Sequence, residues 1–129
     1  MNITQIKETC LYFTNLEEAR SFYHNRLGLP IIGEVEDQHI FFRAGSSVLL
    51  CFNPQNSRTK ISPPSHYGSG KYHFAFEVEA SEYVAHKNEL QQKGIEITDS
   101  VAWPNGKESF YFNDPAGHVL EIVPTGFWG

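Results

Sequence analysis

The order strand, helix, strand, strand, strand occurs twice along this chain, and that repetition limits its fold more than any other feature of the sequence. Laid on one another, the two halves match Glu8 with His73, Leu27-Gly28-Leu29 with Lys93-Gly94-Ile95, and Val48-Leu49-Leu50 with Val119-Leu120-Glu121, the drift being absorbed in loops. Leu50 therefore stands where the second half has Glu121. A β-rich unit with one helix, used twice, predicts an α+β protein of two βαβββ modules that form a curled mixed sheet around a cleft. Module 1 is expected at about residues 3–53 and module 2 at about 71–124, with a linker over 54–70, within one domain spanning 1–129.

The local signals are consistent within each half. Residues 3–13 are strand-like, and Asn15 is placed to cap a helix that carries Leu16, Ala19, Phe22, Tyr23 and Leu27 on one side and stops at Gly28. Pro30–Glu36, His39–Ala44 and Val48–Phe52 read as three strands separated by turn-prone residues. Residues 53–70, with several prolines and small polar residues, read as an extended loop. In the second half Lys71–Val78 is a strand, and Ser81 is the expected cap of a helix with Tyr83, Val84 and Leu90 on its apolar side. Gly94 ends that helix, and strands follow at Ile95–Val101, Ser109–Phe112 and His118–Val123, the last entered through Asn113-Asp114-Pro115-Ala116-Gly117.

Strand alternation sorts the side chains by face. If Leu11 and Phe13 pack on the first helix, Glu8, Cys10 and Tyr12 lie on the other face. If Phe74, Phe76 and Val78 pack on the second helix, His73 and Ala75 lie opposite. Leu120 and Ile122 take the core side of the last strand, and Glu121 takes the other. A carboxylate inside Val-Leu-Glu-Ile-Val costs several kcal/mol to bury unless a cation or partner compensates it. The expected compensation is a divalent metal ion held by Glu8, His73 and Glu121. Glu121 is also expected to act catalytically.

Three stretches resemble the vicinal oxygen chelate superfamily, which includes glyoxalase I, fosfomycin resistance proteins, extradiol dioxygenases and bleomycin resistance proteins. They are Asn15-Leu16-Glu17-Glu18-Ala19-Arg20-Ser21-Phe22-Tyr23 with Leu27-Gly28-Leu29, then His73-Phe74-Ala75-Phe76-Glu77-Val78, then Phe110 through Glu121. The resemblance implies metal ligands on the first and last strands of the modules, where Glu8, Leu50, His73 and Glu121 stand. Many relatives have His at the first position and some have a fourth ligand at the position of Leu50, so a site of one imidazole and two carboxylates is implied here. Two carboxylates neutralise a divalent ion and favour hard cations, which ranks Mn²⁺ or Fe²⁺ above Zn²⁺, Ni²⁺ or Co²⁺. A homodimer is also implied.

The remaining chemistry-bearing residues carry weaker expectations. Arg43, Leu50, Trp103 and Tyr111 are candidates for the substrate cleft, with His66 of the long loop as an acid or base over it. His24, His39, His86 and His118 read as surface or turn histidines. Cys10 and Cys51 sit in apolar strand-like runs, which fits reduced, buried thiols. Net charge −5 without a cluster of Lys or Arg excludes a phosphate-backbone footprint, so no nucleic acid partner is expected. No long apolar run predicts a membrane span, and the expected location is the cytoplasm. The expected activity is that of a metal-dependent lyase, isomerase or dioxygenase of glyoxalase type, acting on a small oxygen-bearing molecule. The rival is a non-catalytic protein that sequesters a drug-like or aromatic ligand, for which ten Phe, six Tyr and two Trp provide lining.

Overall fold

The computed structural model describes all residues, Met1–Gly129, in two compact units, Met1–Ser69 and Gly70–Gly129. Each unit closes its own four-stranded mixed sheet. In the first, β1 (Glu8–Tyr12), β2 (Ile31–Val35), β3 (His39–Ala44) and β4 (Ser47–Phe52) are ordered β1-β4-β3-β2. Strand β1 runs parallel to β4, and the other pairs are antiparallel. In the second, β5 (His73–Val78), β6 (Asp99–Ala102), β7 (Glu108–Asn113) and β8 (Val119–Pro124) are ordered β5-β8-β7-β6, again with only the first pair parallel. The hydrogen-bonded ladders are thus two sheets of mixed βαβββ modules.

In unit 1 the helix begins at α1 (Leu16–Ala19), where the Asn15 side chain accepts the Glu17 amide at 3.1 Å. It continues as a π-helical run, Arg20–Arg26, with the Leu27 amide donating to the Phe22 carbonyl, and the chain leaves through Gly28 at φ +80°. Leu11, Phe13, Phe22, Tyr23, Ile40, Phe42, Leu49 and Cys51 form the core between helix and sheet. Tyr23 meets Phe13 and Phe22 edge to face, with centroids 6.2 and 5.1 Å away. Each fully buried aromatic of this kind contributes about 2–3 kcal/mol through surface removed from water.

The long loop is more ordered than its composition predicts. Asn53 caps a helical turn, α2 (Pro54–Ser57), by accepting the Gln55 amide. Buried Ser57 then donates to the His66 carbonyl at 2.6 Å, which folds the segment back on itself.

Unit 2 departs from expectation at its helix. Ser81 lies inside a 3-10 turn, Ala80–Glu82, that leads into α3 (Tyr83–Gln92), and no side chain of the segment caps either start. The Thr125 hydroxyl, just past β8, accepts the Ala80 amide instead, a contact made across the unit. Val84 is exposed, and Tyr83 and Leu90 alone carry the buried side of α3. Residues 95–98 are not strand: the Ile95 amide returns to the Leu90 carbonyl, and pairing starts at Asp99. The core is Phe110, Phe112, Leu120 and Ile122 with Tyr83, Leu90 and Ile95, whereas Phe74 and Phe76 on edge strand β5 are only half-buried.

Candidate metal centre

Strands β5 and β8 place His73 and Glu121 on one face of the second sheet. The parallel register pairs His73 with Val119 and Ala75 with Glu121, so the two functional side chains sit diagonally on neighbouring strands. His73 Nε2 lies 3.3 Å from Glu121 Oε2. The other ring nitrogen, Nδ1, is 2.8 Å from the Val119 carbonyl oxygen. A carbonyl only accepts, so Nδ1 carries a proton and Nε2 is the ring atom turned toward the carboxylate. Protonated, Nε2 meets the carboxylate as an ion pair; deprotonated, the two atoms are a pair of ligands for one cation. Ligands about 2.1 Å from one ion and about 90–110° apart stand about 3.0–3.4 Å from each other, which matches the observed spacing. A histidine anchored through its second nitrogen to a backbone carbonyl is also the arrangement that fixes tautomer and ring direction in metal sites.

Glu121 is only 7% exposed, between buried Leu120 and Ile122, as its apolar run requires. Tyr111 stands directly across from it on β7 and has its ring centroid 6.0 Å from that of His73. Burial pushes the Tyr111 hydroxyl up, with neighbouring Ser109 acting against the shift and the Glu121 carboxylate acting with it. Trp103 is partly exposed at the β6–β7 hairpin, where Gly106 takes φ +81°, and its indole Nε1 donates to Ser109 Oγ at 2.9 Å. Phe127 is buried, with an edge contact to the Trp103 ring.

Unit 1 carries the other expected residues on the corresponding face. Glu8 and Arg43 flank Val48 in one row, Cys10 and Phe41 flank Leu50 in the next, and Tyr12 and His39 flank Phe52 in the last. Glu8 and Arg43 are exposed, and Leu50 is buried. His66 is held at this face: its Nδ1 bonds to the Tyr12 hydroxyl at 2.8 Å, and its ring stands edge-on to Phe52 at 4.5 Å. Cys10 is exposed, contrary to the expectation of two buried thiols, and Cys51 is fully buried. No three His, Cys, Asp or Glu side chains are gathered at one point, so the structure brings together His73 and Glu121 as a pair.

Sequence reasoning missed one buried polar pair. His118, read as a surface or turn histidine, is 2% exposed and stacks under Tyr72, with its Nδ1 2.7 Å from Asp114 Oδ2. Asp114 Oδ1 also accepts the amides of Ala116 and His118. The Asp-Pro-Ala-Gly-His spacing was the available signal, because an Asx turn at Asp114 aims its carboxylate back at residue 118. This pair organises the turn into β8 and thereby sets the register of Glu121.

The comparisons with known proteins agree with this architecture. The crystal structure of a lactoylglutathione lyase from Agrobacterium tumefaciens superposes with a TM-score of 0.92 at 33% identity, covering 99% of this chain and 98% of that one. A glyoxalase/bleomycin resistance protein/dioxygenase from Nocardioides shares the fold with a TM-score of 0.75 at 21% identity, over 98% of this chain and 87% of that one. Among curated proteins, the glutathione transferase FosA of Serratia marcescens is 26% identical over 128 residues, 93% of this chain and 80% of the relative. The sequence profile of one family matches residues 5–122. With sheets, repeat and profile in agreement, the chain belongs to the Glyoxalase/Bleomycin resistance protein/Dioxygenase superfamily.

Proposed function

We propose that the chain is a divalent-metal-dependent enzyme of glyoxalase type, with His73 and Glu121 as two of the ligands. The observation that carries this reading is His73 Nε2 held 3.3 Å from the buried Glu121 carboxylate, with the ring oriented by the Val119 carbonyl. Glu8 is the proposed third ligand, supported by its repeat equivalence to His73: each opens its module's first strand, paired with Val48 or Val119. An ion in such a site acts as a Lewis acid toward oxygen atoms of a small bound molecule. Within the chain, His73 presents a ring nitrogen oriented by Val119, Glu121 supplies a buried carboxylate oxygen, and Tyr111 stands beside that carboxylate across the strand pair. The donor set of one nitrogen and two carboxylates favours Mn²⁺ or Fe²⁺ over Zn²⁺, Ni²⁺ or Co²⁺.

Similarity to a lactoylglutathione lyase and a glutathione transferase supports a lyase acting on a glutathione conjugate, or a transferase using glutathione, over an oxygenase. Two free cysteines fit a reducing cytoplasm. No helix is long and apolar enough to cross a membrane. Exposed Ile3, Ile6 and Trp128 support a homodimer as the working form. Elemental mass spectrometry of the purified protein is expected to show about one divalent ion per chain, with chelation abolishing turnover of lactoylglutathione. A protein without bound ion, whose Mn²⁺ titration is the same in Glu121→Ala, overturns the proposal. Chelator-insensitive binding of an aromatic ligand would instead favour sequestration.

A further inference from the structure

The β6–β7 hairpin turns through Trp103-Pro104-Asn105-Gly106-Lys107, and its tip carries chemistry that the proposed function does not use. The Trp103 amide donates to the Lys107 carbonyl at 2.8 Å and the Gly106 amide to the Trp103 carbonyl at 3.0 Å, which makes Pro104 and Asn105 the central residues of a β-turn. Gly106 follows in the left-handed region at φ +81°. Asn105 and Gly106 are both exposed, and beyond its chain neighbours no heavy atom lies within 4 Å of where a Gly106 Cβ would stand. One bond folds the Asn105 side chain back, from the Lys107 amide to Oδ1 at 3.0 Å. That Asx turn lays the carboxamide over the Asn105–Gly106 peptide and brings Cγ toward the Gly106 nitrogen.

We propose that Asn105 is a site of spontaneous covalent modification, in which the Gly106 nitrogen attacks the Asn105 side-chain carbonyl and the residue becomes aspartate or isoaspartate. The Gly106 amide proton passes to solvent, a bond forms between that nitrogen and Cγ, and the side-chain nitrogen takes a proton from water and leaves as ammonia. Water then opens the cyclic imide, at Cγ to give aspartate or at the main-chain carbonyl to give isoaspartate. Charge gathers on Oδ1 during the attack, and the Lys107 N–H already donates to that atom, as a donor in an oxyanion site does. The bond from Gly106 to the Trp103 carbonyl acts the other way, because it must open first. A single exposed hydrogen bond at a loop tip restrains such a step by about 10-fold at most, so the attack remains open. No other asparagine precedes a glycine, and Asn56 precedes Ser57, which is fully buried with its amide held by the Asn53 carbonyl. Isoaspartate threads an extra methylene into the backbone of the hairpin that seats the Trp103 indole on Ser109, which loosens that indole. None of this depends on a bound ion.

Peptide mapping by mass spectrometry tests it, on folded protein and on protein unfolded in urea, both held at mildly alkaline pH. Conversion of amide to acid is expected at Asn105, split between aspartate and isoaspartate, at a rate in the folded chain no more than about 10-fold below that in urea. Asn56 of the folded chain should stay intact over the same time. In the isolated isoaspartyl form the Trp103 indole proton, assigned by its loss in Trp103→Phe, should exchange with solvent faster than in the parent. Folded protein that keeps Asn105 intact while the unfolded chain converts, or that converts Asn56 equally fast, overturns the proposal. An indole proton that exchanges no faster overturns the link to Trp103.

Discussion

The two units lay the same ladder and put different chemistry on it. In unit 1 the row through the centre of the open face is Cys10, Leu50 and Phe41; in unit 2 the corresponding row is Ala75, Glu121 and Tyr111. The opposite faces are alike, with Leu11, Leu49 and Phe42 in one unit and Phe110, Leu120 and Phe112 in the other, all buried. A sheet covered by one helix needs only one apolar face to fold, which leaves the second face free to vary. In the central row one copy has a leucine between a thiol and a phenyl ring, and the other a carboxylate between an alanine and a phenol. The lesson is that fold and site are written in alternate residues of the same strands, so one can be copied without the other.

Exchanging the central residues should break the comparison most sharply. Leu50→Glu places a carboxylate without a partner in a buried position and is expected to destabilise unit 1 by about 2–4 kcal/mol, measured by urea unfolding. Glu121→Leu should do the reverse in metal-free protein, leaving stability unchanged or raised, because a buried charge is removed. Next in size is the turn that unit 1 lacks. Asp114→Ala strips partners from two amides and from the buried His118 ring, for an expected loss of about 2–3 kcal/mol. The glycine-serine turn of unit 1 has no such network, and Ser46→Ala there should stay within about 0.5 kcal/mol.

An effect between these two sharpens the contrast in helix capping. Asn53→Ala removes a cap made by a neighbouring residue and should cost about 1 kcal/mol. The smallest expected effect on stability at neutral pH is at Tyr83, whose buried hydroxyl has no hydrogen-bond partner. Burial, assisted by Glu108 and Glu121, pushes this hydroxyl up to about 12 from an ordinary value of about 10. The folded state holds the proton more tightly than the unfolded chain. That contribution is complete below about pH 10 and disappears as pH rises to about 12. Tyr83→Phe should therefore leave neutral stability within about 0.5 kcal/mol and move the alkaline unfolding midpoint upward, followed by circular dichroism.

Where the sequence was legible, a short-range pattern carried the structure. Alternation in Val119-Leu120-Glu121-Ile122 forecast both the strand and the face of Glu121, and Asn15 forecast the cap it makes. The same alternation placed His73 opposite Phe74 and Phe76. What escaped depended on contacts distant in the chain. Thr125 replaces Ser81 as the partner of the second helix start, and Tyr72 covers His118, neither of which leaves a periodic trace. The π-helical run at Arg20–Arg26 was also illegible, because its side-chain spacing over two turns differs little from that of an α-helix. Glu8 is legible as a repeat partner of His73 but not as a ligand, since repeat position speaks to register and not to distance.

The central claim is the proposal that His73 and Glu121 of unit 2 are two ligands of a divalent ion. Its most direct test is calorimetric titration of Mn²⁺ into metal-stripped wild type, Glu121→Leu and Leu50→Ala. The expected result is one site per chain in the wild type and in Leu50→Ala, with affinity reduced at least about 100-fold in Glu121→Leu. Equal binding by wild type and Glu121→Leu would contradict it.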